Sequence, residues 1–330
     1  MHRLTAAAFL LACLLLGGCL PSRFTIDLDP PPDRLRERTL VTGTSGAKVA
    51  LISIDGLIAD APLPSLFGLG PNPVDELVRR LDAAANDPSV AAVVLRINSP
   101  GGTVTGSDIM YVEIERFRER SGKPVVVAMG EIATSGGYYI SLAADEIMAM
   151  PTTTTGSIGV LFQTMNFSEG MAMIGVESRT LTSGPNKDMA NPFEPMDEGQ
   201  YAILQGTVDD MYARFRNLVV RKRPNLQDIG AATDGRIFIG ERALEMGLID
   251  RLGSVRDAHA RAQELAGVTG ASMITYTGVQ IDAVGSPYSA STQRTGTPLA
   301  TANVSLLGAD VAAFLRQRPG FHYLWAPGAR

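Results

Sequence analysis

Ser135 stands in the stretch ATSGGYYIS, residues 133–141, between a short polar lead-in and two consecutive glycines, directly ahead of an apolar run with helical character. A serine so placed has two ordinary uses. It can cap the helix by accepting a hydrogen bond from one of its first free amides. It can also present its hydroxyl as a nucleophile, where the helix N-terminus favours negative charge. Gly136 and Gly137 leave approach to it unobstructed. A second suggestive stretch is NSPGGTV, residues 98–104, where two glycines follow a proline at the end of an apolar strand. Taken alone, such a stretch marks a tight turn. Beside a nucleophile, its bare N–H groups are the donors that an oxyanion hole needs for a tetrahedral intermediate.

A hydroxyl nucleophile needs a base, and histidine is the usual one. The three histidines are His2 in the leader, His259 in a surface-like helical stretch and His322 in the tail, so none falls in the region of Ser135. There is no G-x-S-x-G and no H-E-x-x-H, which disfavours triad hydrolases and zinc hydrolases. A lysine can replace histidine if it is neutral at working pH. Only Lys48, Lys123, Lys187 and Lys222 are available. Lys48 opens a strand, Lys123 sits in a turn before Pro124, and Lys222 lies in a basic helix end. Lys187, in TLTSGPNKDMANPFEP, follows a strand and a Gly-Pro turn, which leaves it on a loop at the end of a sheet. The ordinary reading of such a residue is a solvated loop lysine. An unperturbed lysine is neutral only ~0.04% of the time at pH 7, so a base at this position needs burial or assembly to lower its pKa.

The elements that must position these residues follow from periodicity. KVALISIDGLI reads as a strand by its β-branched and apolar content. PNPVDELVRRLDAAANDP carries Asn72 as N-cap, Pro73 in the first turn and Val74, Leu77, Val78 and Leu81 at helical spacing. VAAVVLRINS is a nearly continuous apolar run, the mark of a strand buried on both faces. A glycine-rich turn, a helix near 107–120, the strand KPVVVAMG, the Ser135 helix and the strand DEIMAMP follow in order. This alternation predicts an α/β fold with a largely parallel sheet and crossover helices. Asp197 caps a long helix to about Arg223, with an apolar stripe of Tyr201, Leu204, Val208, Met211, Tyr212 and Phe215 suited to core or subunit interface.

Near its start the chain has Arg3, an apolar run LTAAAFLLACLLL and then LGGC, which resembles a bacterial lipoprotein signal in which Cys19 would be the lipidated residue. The apolar stretch is at the short limit for spanning a bilayer. The expected organisation is a signal peptide over 1–18, a Pro-rich tether over 19–46, one body over 47–267, and a linker with a C-terminal tail over 268–330. A short helix is expected in the last part of that tail. With Cys13 in the leader, processing leaves Cys19 alone, so neither a disulfide nor a Cys-based metal site is expected. A formal net charge of −5, without a dense basic cluster, points away from nucleic acid.

In combination LRINSPGG, ATSGGYYIS, TGSIGV, SGPNKDM and DGRIFIGERALEMGLID, in this order between about Lys48 and Gly253, resemble the bacterial signal peptide peptidase A serine peptidases. The resemblance implies a core like that of the Clp protease proteolytic subunit and the crotonases. It implies that Ser135 is the nucleophile, Lys187 the general base, Ser157 the residue that orients the lysine, and the amides of Gly102 and Gly136 the oxyanion hole. No cofactor or metal is implied. The partners implied are signal peptide remnants and other unstructured peptides, a membrane reached here through lipid on Cys19, and further copies of the chain in a ring. The body would then sit in the cell envelope, on the extracytoplasmic side. Two other readings stay open at this point: a non-catalytic scaffold of the same fold, and a crotonase-type enzyme acting on acyl-coenzyme A esters.

Overall fold

The computed structural model describes residues 35–65, 68–278 and 321–324. The leader, Cys19 and most of the linker and tail, including nearly all of the segment expected to hold a terminal helix, lie outside the described residues. The strands are β1 (Arg36–Val41), β2 (Lys48–Ile58), β3 (Pro64–Ser65), β4 (Gly68–Leu69), β5 (Val90–Thr103), β6 (Val125–Thr134), β7 (Glu146–Ala149), β8 (Thr154–Gly156), β9 (Leu161–Phe162), β10 (Ile237–Ile239), β11 (Arg251–Leu252), β12 (Ser272–Thr277) and β13 (Phe321–Leu324). The helices are α1 (Pro73–Asn86), α2 (Val104–Ser121), α3 (Gly136–Ser141), α4 (Ser168–Met173), α5 (Glu198–Lys222), α6 (Ile229–Ala232), α7 (Gly240–Glu245) and α8 (Val255–Leu265).

The main sheet runs β1-β12-β2-β5-β6-β7-β11, and its β12-β2, β2-β5, β5-β6, β6-β7 and β7-β11 pairs are parallel. The expected α/β architecture with a largely parallel sheet is therefore present. The near-continuous apolar run in β5 is explained by what covers it. Val93, Leu95 and Ile97 face a core shared with Leu77 and Leu81 of α1 and Met110 and Ile114 of α2. Ala92 and Val94 face the opposite side, against Ala258 and Ala262 of α8. Successive side chains of a strand point to opposite faces, so a strand with helices on both sides has no polar face to show. Each buried Val, Leu or Ile here contributes about 1.5–3 kcal/mol of transfer free energy.

Local signals act as read. Asn72 Oδ1 accepts from the Val74 amide at 2.9 Å and opens α1. Asp197 Oδ1 accepts from the Gln200 amide at 2.8 Å and opens α5.

Three boundaries differ from expectation. The Pro-Gly-Gly stretch is not a turn: β5 continues through it to Thr103, with Leu57 opposite Gly101 and Ile58 opposite Gly102. The register of the pair shifts between Asp55 and Leu57. The sheet also extends beyond 47–267. β1 lies within the span read as a tether and pairs antiparallel with β12, which lies within the span read as linker. Polar, exposed edge strands such as RERTLV lack the apolar face that marks a strand in sequence. Finally, β13 lies in the tail and joins the sheet beside β5, while the rest of the segment expected to hold a helix lies outside the described residues. Among the described residues no helix is long and apolar enough to cross a membrane.

Candidate active site

Ser135 is the single residue between the end of β6 and the start of α3, at φ 52° and ψ −113°. A side chain at positive φ costs of order 1–3 kcal/mol and persists only where its surroundings impose it. Here they do. The Ser135 amide donates to the Gly156 carbonyl at 2.8 Å, and its carbonyl accepts from Tyr139 at 2.8 Å. On either side Thr155 Oγ1 donates to the Ala133 carbonyl at 2.7 Å and Tyr138 OH to the Leu248 carbonyl at 2.8 Å. The hydroxyl of Ser135 makes no capping bond. The capping use is thereby removed, and what remains is a buried serine, 1% exposed, turned out of the helix it precedes.

Around it three glycine backbones converge so closely that side chains do not fit. A methyl at Gly136 would lie 3.2 Å from the Gly102 nitrogen, 3.1 Å from the Gly101 Cα and 2.5 Å from Ser107 Oγ. One at Gly102 would fall 1.9 Å from the Ile58 carbonyl oxygen. Gly101 takes φ 107°, a conformation open to glycine, and its amide is held by Ser99 Oγ at 3.0 Å. Ser107 Oγ is itself anchored on the Thr103 carbonyl at 2.9 Å. Ser99 and Ser107 shape the site without having been singled out in the sequence, where each reads as an ordinary polar residue.

Ser157 immediately follows the carbonyl that receives the Ser135 amide. It too has positive φ, 52°, is 8% exposed, and is held through its amide on the Arg236 carbonyl at 2.8 Å. The structure thus brings Ser135, Ser157, Gly102 and Gly136 into one locality.

Lys187 is not brought to them by any hydrogen bond. It is exposed, in a turn where its amide donates to Gly184 at 3.2 Å, and its ammonium has no partner among the described residues. The other three lysines are engaged. Lys48 pairs with Glu37 at 2.8 Å and Asp87 at 3.0 Å. Lys123 Nζ donates to the carbonyls of Ala84 and Asp87, both at 2.7 Å, closing the end of α1. Lys222 pairs with Glu115 at 2.5 Å. The segment between β9 and α5 that carries Lys187 also exposes Met173 (85%), Ile174 (76%) and Leu181 (101%).

An aromatic cluster adjoins the site. Tyr139, one helical turn after Ser135, packs on Tyr111, Phe215 and Tyr323 with centroids 5.5, 5.0 and 5.1 Å away. Its hydroxyl donates to Asp108 at 2.6 Å, and Arg214 binds the same carboxylate at 2.8 and 2.9 Å. Burial, with the Asp108 carboxylate beside it, holds the Tyr139 phenol well above the usual tyrosine range. Among the described residues no group of three or more His, Cys, Asp or Glu is placed to hold a metal ion.

Comparison with known proteins places these features in context. The model of peptidase family S49 matches residues 117–269, which include Ser135, Ser157 and Lys187. An Enterococcus faecium protein named as a signal peptide peptidase SppA is 34% identical over 245 residues, 74% of this chain and 71% of its own length. Protease 4 of Haemophilus influenzae is 34% identical over 237 residues, 71% of this chain but 36% of that longer protein. The chloroplastic serine protease SPPA of Arabidopsis thaliana is 30% identical over 196 residues, 59% of this chain and 29% of its own length.

Proposed function

Starting from the premise that this chain belongs to peptidase family S49, with the signal peptide peptidase A enzymes, and is a serine peptidase, we propose a mechanism built on Ser135 and Lys187. Ser135 Oγ attacks the carbonyl carbon of the scissile peptide bond as Lys187 takes its proton. The amides of Gly102 and Gly136 donate to the oxyanion, and the proton passes from Lys187 to the departing amine as the peptide bond breaks. Water, with its proton taken by the neutral lysine, then hydrolyses the acyl-enzyme and restores Ser135. Ser157 orients the Lys187 side chain. The observation that carries this reading is the conformation of Ser135: a buried serine at positive φ, with no capping bond, where glycine backbones leave room for no side chain.

Lys187 serves the site of a neighbouring copy. In an isolated chain Lys187 is exposed and no hydrogen bond among the described residues brings it to Ser135. The apolar side chains around it, Met173, Ile174 and Leu181, suit a contact that would bury it. Repeated head-to-tail contacts of this kind close into a ring. Lipid on Cys19 would tether that ring to a membrane on the extracytoplasmic side. The substrates would be signal peptide remnants and other unstructured apolar peptides; the Enterococcus relative is named as a signal peptide peptidase.

The test is cleavage of an unstructured apolar peptide by a fragment beginning at residue 35, which keeps β1 paired with β12. Ser135→Ala and Lys187→Ala are each expected to lower kcat by at least about a thousandfold, the scale of loss when a nucleophile or its base is removed. Full activity in Ser135→Ala would overturn the assignment.

A further inference from the structure

A segment remote in sequence lies across this locality. β13 runs antiparallel to the end of β5, with His322 opposite Thr103, Tyr323 opposite Gly102 and Leu324 opposite Gly101. On its other edge it runs antiparallel to β9, with Phe321 opposite Phe162 and His322 opposite Leu161. One edge is therefore the glycine strand beside Ser135, and the other follows Ser157 by a few residues. An extended peptide added between such edges is held by main-chain bonds and selected by pockets for its side chains.

Tyr323 fills such a pocket. It is 0% exposed, its ring stacks on Tyr139 at 5.1 Å and packs on Phe215 at 4.7 Å, and its hydroxyl donates to the Met211 carbonyl of α5 at 3.2 Å. That carbonyl gives the phenol the partner a buried tyrosine requires. Phe321 packs on Phe162 with centroids 4.8 Å apart. The main chain of Tyr323 is placed just as closely. A methyl at Gly101 would lie 2.0 Å from the Tyr323 carbonyl oxygen and 2.8 Å from the Gly136 nitrogen. The carbonyl of Tyr323 and the Gly136 amide, assigned to the oxyanion hole, thus both lie within 3 Å of the point where a Gly101 methyl would sit.

We infer that Phe321–Leu324 is a built-in occupant of the peptide-binding groove, and that the pocket filled by Tyr323 receives an aromatic side chain on the acyl side of the scissile bond. The inference rests on the peptidase reading for the identity of the groove. A substrate must displace the strand, so its apparent affinity is lowered by the fraction of chains whose groove is vacant. A tethered competitor acts at an effective concentration that free peptide rarely reaches.

The test measures binding in a Ser135→Ala background, so that cleavage does not enter. The probe is a fluorescent Phe-His-Tyr-Leu peptide, with Phe-His-Ala-Leu as its control. Three proteins are compared: the full chain, a chain ending at residue 320, and the full chain carrying Tyr323→Ala. The probe is expected to bind the shortened chain about tenfold or more tightly than the full chain. Tyr323→Ala should raise affinity in the same direction while keeping the chain length, which covers the case in which the shortened chain fails to fold. The alanine control should bind at least about tenfold more weakly than the probe, as loss of a buried aromatic ring demands. Equal binding to the full chain and Tyr323→Ala, or equal binding of the two peptides, would overturn the inference. With Ser135 restored, Ser135-dependent cleavage alongside such a result would leave the peptidase reading standing. Tighter binding to the variants without cleavage would uphold the occupant and count against the peptidase reading.

Discussion

Among the described residues, Ser135, Ser157 and Ala190 are the non-glycine residues at positive φ, and all three lie at or within three residues of a proposed catalytic or orienting group. Strain of this kind persists where function requires a fixed direction for a side chain. It has a measurable consequence. Ser135→Gly relieves about 1–3 kcal/mol of backbone strain, against about 0.5–1 kcal/mol of added chain entropy in the unfolded state. The variant should therefore be inactive yet more stable by about 1 kcal/mol, seen as a higher urea midpoint. Ser135→Ala should be equally inactive with stability unchanged to within about 0.5 kcal/mol, since alanine keeps the strain. A lower midpoint for Ser135→Gly would show that the conformation carries no strain. A second change tests the glycine cluster. Gly136→Ala puts a methyl 2.5 Å from Ser107 Oγ and 3.1 Å from the Gly101 Cα, and should abolish peptide cleavage by moving the proposed donors. The helix caps at Asn72 and Asp197 were legible from residue type and spacing, because capping is a local property. Whether Ser135 caps its helix was not, because that depends on a backbone angle held by Gly156 and Tyr139.

At the scale of elements, the buried strands were legible because both faces of β5 and β6 are apolar, and the helices because their apolar residues recur at helical spacing. The elements that escaped the sequence are those defined by partners. β1 is a row of exposed residues made a strand by β12, and β13 is four residues long and made a strand by β5 and β9. The Pro-Gly-Gly stretch looked like a turn because its glycines serve close approach to Ile58 and Tyr323 rather than reversal of the chain. One link between elements gives a pH-dependent prediction. Glu146 of β7 binds Arg261 of α8 at 2.9 Å and Arg251 of β11 at 3.2 Å. The Arg261 hydrogen bond holds its carboxyl below the usual glutamate range. A carboxyl depressed in the folded state stabilises the protein above its unfolded-state pKa, and that contribution is lost as pH falls through the folded-state pKa. Glu146→Gln should lower the melting temperature near pH 7, with the difference shrinking below about pH 4 and then vanishing. A difference unchanged across that range would show that the ion pairs contribute nothing to stability.

At the scale of the molecule, the described residues form one sheet-centred body, and the proposals about anchoring and assembly concern what surrounds it. If Cys19 carries lipid, Cys19→Ser should abolish incorporation of a fatty-acid label and release the protein from the membrane fraction; a retained label would remove the lipid anchor from the account. Assembly bears directly on the chemistry, because Ser135 is buried in the body and Lys187 stands on an exposed, apolar-flanked segment. The central claim is that one site takes its serine from one copy and its lysine from the next. The most direct measurement mixes Ser135→Ala chains with Lys187→Ala chains in equal amounts, allows them to assemble together, and follows peptide cleavage. Within either chain the pair is always broken. Across a contact, an intact serine meets an intact lysine with a probability of about one half for each, so the account expects about a quarter of wild-type activity. Absence of activity in oligomers shown to contain both chains would contradict it.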